Sequence, residues 1–297
     1  MIRNSHLKLI ARHSVRHGIR GGSGLVAMFF TLVLGLTMAS IVISPLDAVN
    51  KVADRAHASD EERAALNLET QRQVVRIGGK AIDWAVDPSA DELTYLTETQ
   101  PTAVSAILVL LFLVTPLLSC LGGFNQTSGD IASKGLRFLL VRTERPNIFL
   151  GRFIGTYVFS AVIYGILFAI LALYMALKVN VHPPGDMVAW LAQGYVRLLI
   201  FSLPYIALCS WISANIDSAF GSLVVCLLVA YMFPLLVGMA GNINANAHYL
   251  QYLTPWGYKY WLLCPLNAKF FGGVAIMLGF TGVFVTLGLK SFTTRDL

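Results

Sequence analysis

The residues of this chain that could do chemistry are few, and the most conspicuous is Arg197. It is the one charged side chain deep within a long apolar run, Arg152 standing at the edge of another, and it lies roughly 13 Å from the start of its run at about 1.5 Å per residue. A charge at such depth is costly and is a functional hypothesis by default. No Asp or Glu lies in any apolar run to pair with it. Its guanidinium is therefore expected to face water, backbone carbonyls, lipid headgroups reached by snorkelling, or an anionic substrate, and the last option makes Arg197 a candidate for a translocation pathway. The cysteines Cys120, Cys209, Cys226 and Cys264 show no CxxC spacing. They read as small packing residues, with no structural disulfide. His13 and His17 stand at i, i+4 but have no acidic or Cys ligand nearby, so a basic interfacial face is expected there and no metal site.

No catalytic residue emerges. GxxxxGK[ST], HExxH and GxSxG are all absent, which removes the phosphate-loop, zincin and serine-hydrolase devices. A proton relay of intramembrane carboxylates is missing as well. The chain is expected not to be an enzyme and to hold no cofactor.

The densest polar segment is Asp130-Ile-Ala-Ser-Lys-Gly135-Leu-Arg-Phe-Leu-Leu140-Val-Arg-Thr-Glu-Arg145, followed by Pro146. A short amphipathic helix is expected here, with Leu136, Leu139 and Leu140 on one side and Arg137, Arg142 and Glu144 on others. Such a helix would lie along a membrane surface and suit a docking partner.

These segments need elements to hold them. Hydrophobic residues make up 56% of the 297 and charged ones only 13%, about half the charged share of a soluble domain. Six apolar runs of about 20 residues, long enough for a hydrocarbon core of roughly 30 Å, occupy 24–44, 102–122, 151–177, 188–213, 219–241 and 270–289. Backbone groups in lipid must be satisfied within the segment, so each is expected to be helical. The first run exceeds a signal-peptide core and reads as a retained helix. Pro116, Pro204 and Pro234 interrupt three spans, and Gly151-Arg-Phe-Ile-Gly155 has the small-residue spacing that lets helices approach closely.

Charge sets the orientation. Arg3, Lys8, Arg12, Arg16 and Arg20 precede the first run with no acid among them, which keeps that end cytoplasmic by the positive-inside rule. Residues 1–23 suit a basic interfacial helix. The basic segment 123–150 and the tail 290–297 fall on the same side. The net charge of +6 follows these flanks, so no nucleic-acid partner is expected. The outer loop 45–101 carries six basic and eleven acidic residues and reads as helical. Ser59-Asp-Glu-Glu62 and Ser89-Ala-Asp-Glu92 are capping boxes, the first helix stopping at Gly78-Gly79 and the second before Pro101. The second outer loop, 242–269, gathers Tyr249, Tyr252, Trp256, Tyr258, Tyr260 and Trp261, an aromatic belt on short interfacial or re-entrant helices.

The order of these motifs resembles that of type-2 ABC transporter permeases. Asp130, Gly135, Leu139, Leu140, Arg145, Leu150, Gly151 and Arg152 stand where that family carries its Asp, glycine turn, paired leucines, Arg and Leu-Gly-Lys entry to the third helix. Leu253-Thr254-Pro255 resembles its Leu-Ser-Pro, and Phe292 with Arg295-Asp296 its Phe-x-x-Arg-Asp terminus. The sequence departs at Ser133-Lys134, where a Glu is common, at Gly135-Leu136 for Gly-Thr, and in the length of loop 45–101. The resemblance implies an all-α, six-span inner-membrane permease of a bacterium, with both termini cytoplasmic. It also implies a homodimer, or in some members a heterodimer, coupled to a separate cytoplasmic ABC ATPase that binds the ATP and Mg. Under it, Asp130, Gly135, Arg137, Leu139, Leu140, Arg142, Glu144 and Arg145 form the ATPase-coupling site. Two alternatives are a mechanical anchor subunit acting on a periplasmic protein through loop 45–101, and an ion-coupled transporter.

Overall fold

The computed structural model describes residues 4–20, 22–55, 59, 61, 62, 65, 69, 95–132, 134, 135, 140, 141, 143–178, 184–233, 236, 237, 239 and 245–295. Among them every regular element is helical. The elements are α1 (Asn4–Arg20), α2 (Gly22–Arg55), a π-helical turn (Tyr95–Thr99), α3 (Thr102–Gly123), α4 (Ser128–Ala132), α5 (Arg145–Lys178), α6 (Pro184–Asn215) and α7 (Ala219–Leu227), which runs into a π-helical turn (Leu228–Met232). Two 3₁₀ pieces (Ala245–Leu253 and Pro255–Tyr258), α8 (Lys259–Leu263) and α9 (Ala268–Thr294) complete the chain.

Five helices are long and apolar enough to cross a membrane: Gly24–Ser44, Ala103–Ala132, Arg145–Leu177, Gly185–Asn215 and Ala268–Thr294. The run expected at 219–241 is a shorter apolar helix, Ala219–Met232, with residues 233, 236, 237 and 239 also helical. Two of the boundaries that differ from the expected ones have a plain cause. α2 does not stop at Pro45 but continues to Arg55, because one proline removes a single backbone donor and kinks a long helix without ending it. α5 starts at Arg145, with Pro146 in its first turn, where the missing N–H has no partner to lose.

α6 is the central helix. Leu198, Phe201, Tyr205, Ile206, Leu208, Cys209 and Ile212 are buried around its whole circumference, as expected of a helix with protein on every side. Phe201 stacks on Phe112 of α3 at 4.9 Å between ring centroids. α2, α5 and α9 are apolar outside as well as inside, with Phe29, Val162, Leu173, Leu278 and Val283 exposed. In a bilayer those faces meet lipid, so hydrophobicity cannot drive helix against helix and close packing must. Glycines supply it. A Cβ on Gly194 of α6 would lie 2.4 Å from Leu108, and one on Gly288 of α9 would lie 2.5 Å from Phe149.

The paired glycines of α5 seat the amphipathic α1. A Cβ on Gly151 would come within 2.8 Å of Ile10, and one on Gly155 within 2.5 Å of Ser14 Cβ and 2.8 Å of the Ala11 carbonyl. α1 therefore lies against the start of α5, with Lys8, Arg12 and Arg16 outward. Gly155→Ala is expected to lift α1 from α5 and to cost about 1–3 kcal/mol through overpacking. Maleimide labelling of Ser14→Cys checks this: labelling accelerates in the Gly155→Ala background, and an unchanged rate refutes the contact. The four native cysteines are all buried and add little background.

In loop 45–101, Ser59 and Glu62 form the reciprocal capping box, the Ser59 N–H donating to Glu62 Oε2 at 2.9 Å and the Glu62 N–H to Ser59 Oγ at 3.3 Å. The second box and Gly78-Gly79 lie outside the described residues.

Candidate functional site

One group of polar residues gathers at the base of the bundle, where α1 and the last turn of α9 lie. α3 closes at Gly123, and the chain turns through Phe124–Thr127 into α4. The first N–H groups of α4 have no partner in their own helix, and α6 supplies one: Ser213 Oγ accepts from the Thr127 N–H at 2.9 Å and from the Ser128 N–H at 3.0 Å. Ser222 Oγ of α7 donates to the Phe124 carbonyl at 2.7 Å. Asp130 on α4 then pairs with Arg152 on α5, whose guanidinium also donates to the Gln126 carbonyl. The turn is thus tied to three neighbouring helices. α4 ends at Ala132, and Lys134 takes a left-handed φ of 56° just before Gly135.

A second clasp binds the tail. Arg145 donates to the carbonyls of Thr293 and Arg295, at 2.9 and 2.6 Å. Arg295 donates to the Ala214 carbonyl at 2.6 Å and pairs with Asp217, between α6 and α7. Beneath it Phe292 is fully buried with Ile148, Phe149 and Ala214, and Leu140 packs on the same cluster. The Phe-x-x-Arg ending closes the base of the bundle.

Of the residues expected to form the coupling site, the structure brings Asp130 and Arg145 to opposite ends of one segment, each anchored on a membrane helix. Leu140 is half-buried, and Glu144 and Val141 are exposed, Val141 by 87%. Arg137, Leu139 and Arg142 lie outside the described residues. Sequence reasoning placed Arg152 and Arg295 only in the family motifs, and Gln126 and Ser213 nowhere. The i, i+22 separation of Asp130 from Arg152 carries no helical period that would flag the pair.

Arg197 takes the carbonyl option. It is 2% exposed, and its Nη1 donates to the carbonyls of Leu262 and Cys264 at 2.8 and 2.7 Å. Its planar faces lie over Trp190 and Phe270, 4.8 and 5.0 Å from the ring centroids. It caps the C-terminal end of α8 and fastens the aromatic loop to α6 and α9. Within that loop Trp256 and Tyr260 are buried in the main core, while Tyr249 is exposed. Gly257 permits the fold there, since a Cβ would lie 2.7 Å from the Gln251 carbonyl.

Lys259 is the other buried cation of this end. It is 3% exposed, packed 4.5 Å from the Trp256 ring and 4.8 Å from Tyr260, and among the described residues its Nζ finds no acceptor. Burial pushes its amine well below the usual lysine range. The unfolded chain therefore holds a proton that the folded one resists, so stability rises with pH between the lowered value and the ordinary lysine pKa of about 10.4. Lys259→Met is expected to raise stability at neutral pH by about 1–2 kcal/mol and to flatten that slope. Unfolding in detergent from pH 7 to 10 checks both, and a steep slope retained by the variant refutes the assignment.

Cys120, Cys209 and Cys226 come from α3, α6 and α7 and meet in the core, the first two sulfurs 3.8 Å apart. Among the described residues no group of His, Cys, Asp or Glu could hold a metal. A family model described as ABC-2 family transporter protein matches residues 8–297. No curated protein matches the chain.

Proposed function

The chain belongs to the ABC-2 transporter family, a multi-pass membrane permease subunit, and on that premise we propose that it is the dimerising half of an ATP-driven exporter. The reading places six spans in a bacterial inner membrane with both termini cytoplasmic, in line with the basic residues at 3–20, 134–152 and 290–295. A second copy completes the pathway, and a separate cytoplasmic ATPase supplies ATP and Mg. The segment from Asp130 to Arg145 seats in that ATPase, and closure of the ATPase pair moves the spans as rigid bodies.

The observation that carries this reading is a segment rooted at Asp130, Leu140 and Arg145 that leaves Val141 exposed. Asp130 is held by Arg152 and Leu140 is packed on the Phe292 cluster, while the adjacent Val141 is 87% exposed. An apolar side chain presented from a braced base is what a partner groove takes up. Arg145, already used by the tail carbonyls, acts as part of the brace.

Val141→Asp is accordingly expected to lower ATP turnover of the co-purified permease–ATPase complex by at least about tenfold. The melting temperature of the permease alone stays close to wild type, because an exposed substitution changes stability by only about 0.5 kcal/mol. Normal turnover in an assembled Val141→Asp complex would refute the docking surface.

A further inference from the structure

α1 runs beside the start of α5 in one direction and one register. Ile10 meets Gly151, Ser14 meets Gly155 and Gly18 meets the Phe159 ring, each step four residues on both helices. That contact uses one face of α1 and leaves the opposite arc exposed, with Lys8, Arg12 and Arg16 one turn apart and Leu9 and Ile19 among them. The sequence holds no Asp or Glu before Asp47, and among the described residues no acid pairs with any of the three cations. Leu9, exposed by 72%, would be a poor neighbour for these charges in water. The same mixture suits a headgroup–acyl boundary, where cationic stems lie along apolar surface.

The position of α1 decides which surface it meets. Gly18 abuts both Phe159 and Gly24, and at that level the exposed apolar rows begin, Leu25, Val26 and Phe29 on α2 and Val158 and Val162 on α5. In a bilayer those rows lie in lipid, so Arg16 stands at the headgroups. Lys8 is two turns further out, about 12 Å along the helix, close to one Debye length of roughly 8–10 Å.

We propose that this arc of α1 docks on the anionic phospholipid headgroups of the leaflet where α2 and α5 enter. Lys8, Arg12 and Arg16 pair with the phosphates of that leaflet, and Leu9 and Ile19 enter its acyl boundary. Each basic residue near an anionic leaflet strengthens attachment by about fivefold, so three in a row favour anionic over zwitterionic lipid strongly. The dock bears on the base of the bundle, because α1 sits on the turn of α5 that carries Arg152, the partner of Asp130. The assignment rests on the exposed arc of α1 and not on the ATPase reading, so either stands if the other fails.

A maleimide dye on Leu9→Cys places a reporter in the arc, and the four native cysteines are buried. The full chain is reconstituted in nanodiscs of phosphatidylcholine and phosphatidylglycerol in equal parts, with a nitroxide quencher near the headgroup of one lipid or the other. Quenching from phosphatidylglycerol is expected to exceed that from phosphatidylcholine by at least about threefold and to fall toward parity in molar salt. It should reach parity in Lys8→Gln/Arg12→Gln/Arg16→Gln. All three sites are exposed, so the triple variant should melt close to wild type. Equal quenching by the two lipids, or a preference that the triple variant keeps, overturns the proposal. Quenching by neither lipid also overturns it, and leaves the arc to a soluble acidic partner.

Discussion

Arg197→Met is expected to destabilise the protein by about 3–5 kcal/mol, a loss typical of removing one partner from a buried charged network. Methionine keeps the apolar stem but leaves the Leu262 and Cys264 carbonyls without the donor that now sits 2.8 and 2.7 Å away. Each hydrogen bond to a charged group is worth about 1.5–3 kcal/mol. The contacts with Trp190 and Phe270 add about 0.5–2 kcal/mol where desolvated. These terms are not additive, and the cationic end of the α8 dipole interaction is lost with them. Arg197→Lys should recover less than half of the loss. A single ammonium reaches two carbonyls poorly and lacks the planar face that stacks between two rings. Trp190 is fixed from its other side, by Tyr95 at 5.9 Å and by an Nε1 donation to Ser105 at 3.1 Å, so it cannot follow a shorter side chain. Chemical unfolding in detergent reads the difference. A Met variant within about 1 kcal/mol of wild type would mean that α8 is held by its aromatic packing alone.

Arg197 also shows where sequence reading stops. Its depth in an apolar run was legible, and so was the shortage of acids to pair with it, which narrowed its partners to a few classes. Which class won depended on residues 65 and 67 positions away, folded back by an aromatic loop whose buried and exposed tyrosines look alike in sequence. The helical character of the spans followed from backbone satisfaction in lipid, and so did the close approach at Gly151 and Gly155, because small residues at i, i+4 have one geometric meaning on a helix. Capping at Ser59 and Glu62 is equally local. The clasps at the base are not. Ser213 reads as an ordinary small residue in an apolar helix until two N–H groups of α4 are found on its oxygen. Arg145 reads in sequence as a coupling residue, and its bonds to the tail could not be foreseen because its acceptors are backbone carbonyls, which leave no mark on side-chain pattern. Local periodicity thus disclosed the elements, while the bonds that brace them are long-range and made largely to backbone.

Asp130→Ala is expected to cost more than Arg152→Leu, although the two residues form one ion pair. The reason is the asymmetry of their surroundings: the Arg152 side chain is 14% exposed and that of Asp130 is 40% exposed. Removing the acid strands a guanidinium in a site with little water, a loss that approaches about 3 kcal/mol. Removing the arginine leaves a carboxylate that can be hydrated, together with one unsatisfied carbonyl at Gln126, and costs about 1–2 kcal/mol. The double variant Asp130→Ala/Arg152→Leu should then be more stable than Asp130→Ala alone, since the stranded charge has gone. That inversion is the decisive observation, because two independent structural side chains would give additive losses. Unfolding of the four members of the cycle in one detergent measures it, and additivity within about 0.5 kcal/mol would show that the pair does not hold the turn. If the pair does hold it, and if the proposed docking of an ATPase at Val141 holds, the same Asp130→Ala chain should stimulate that ATPase poorly while Val141 remains intact, because a docking residue would transmit force only through the base that braces it.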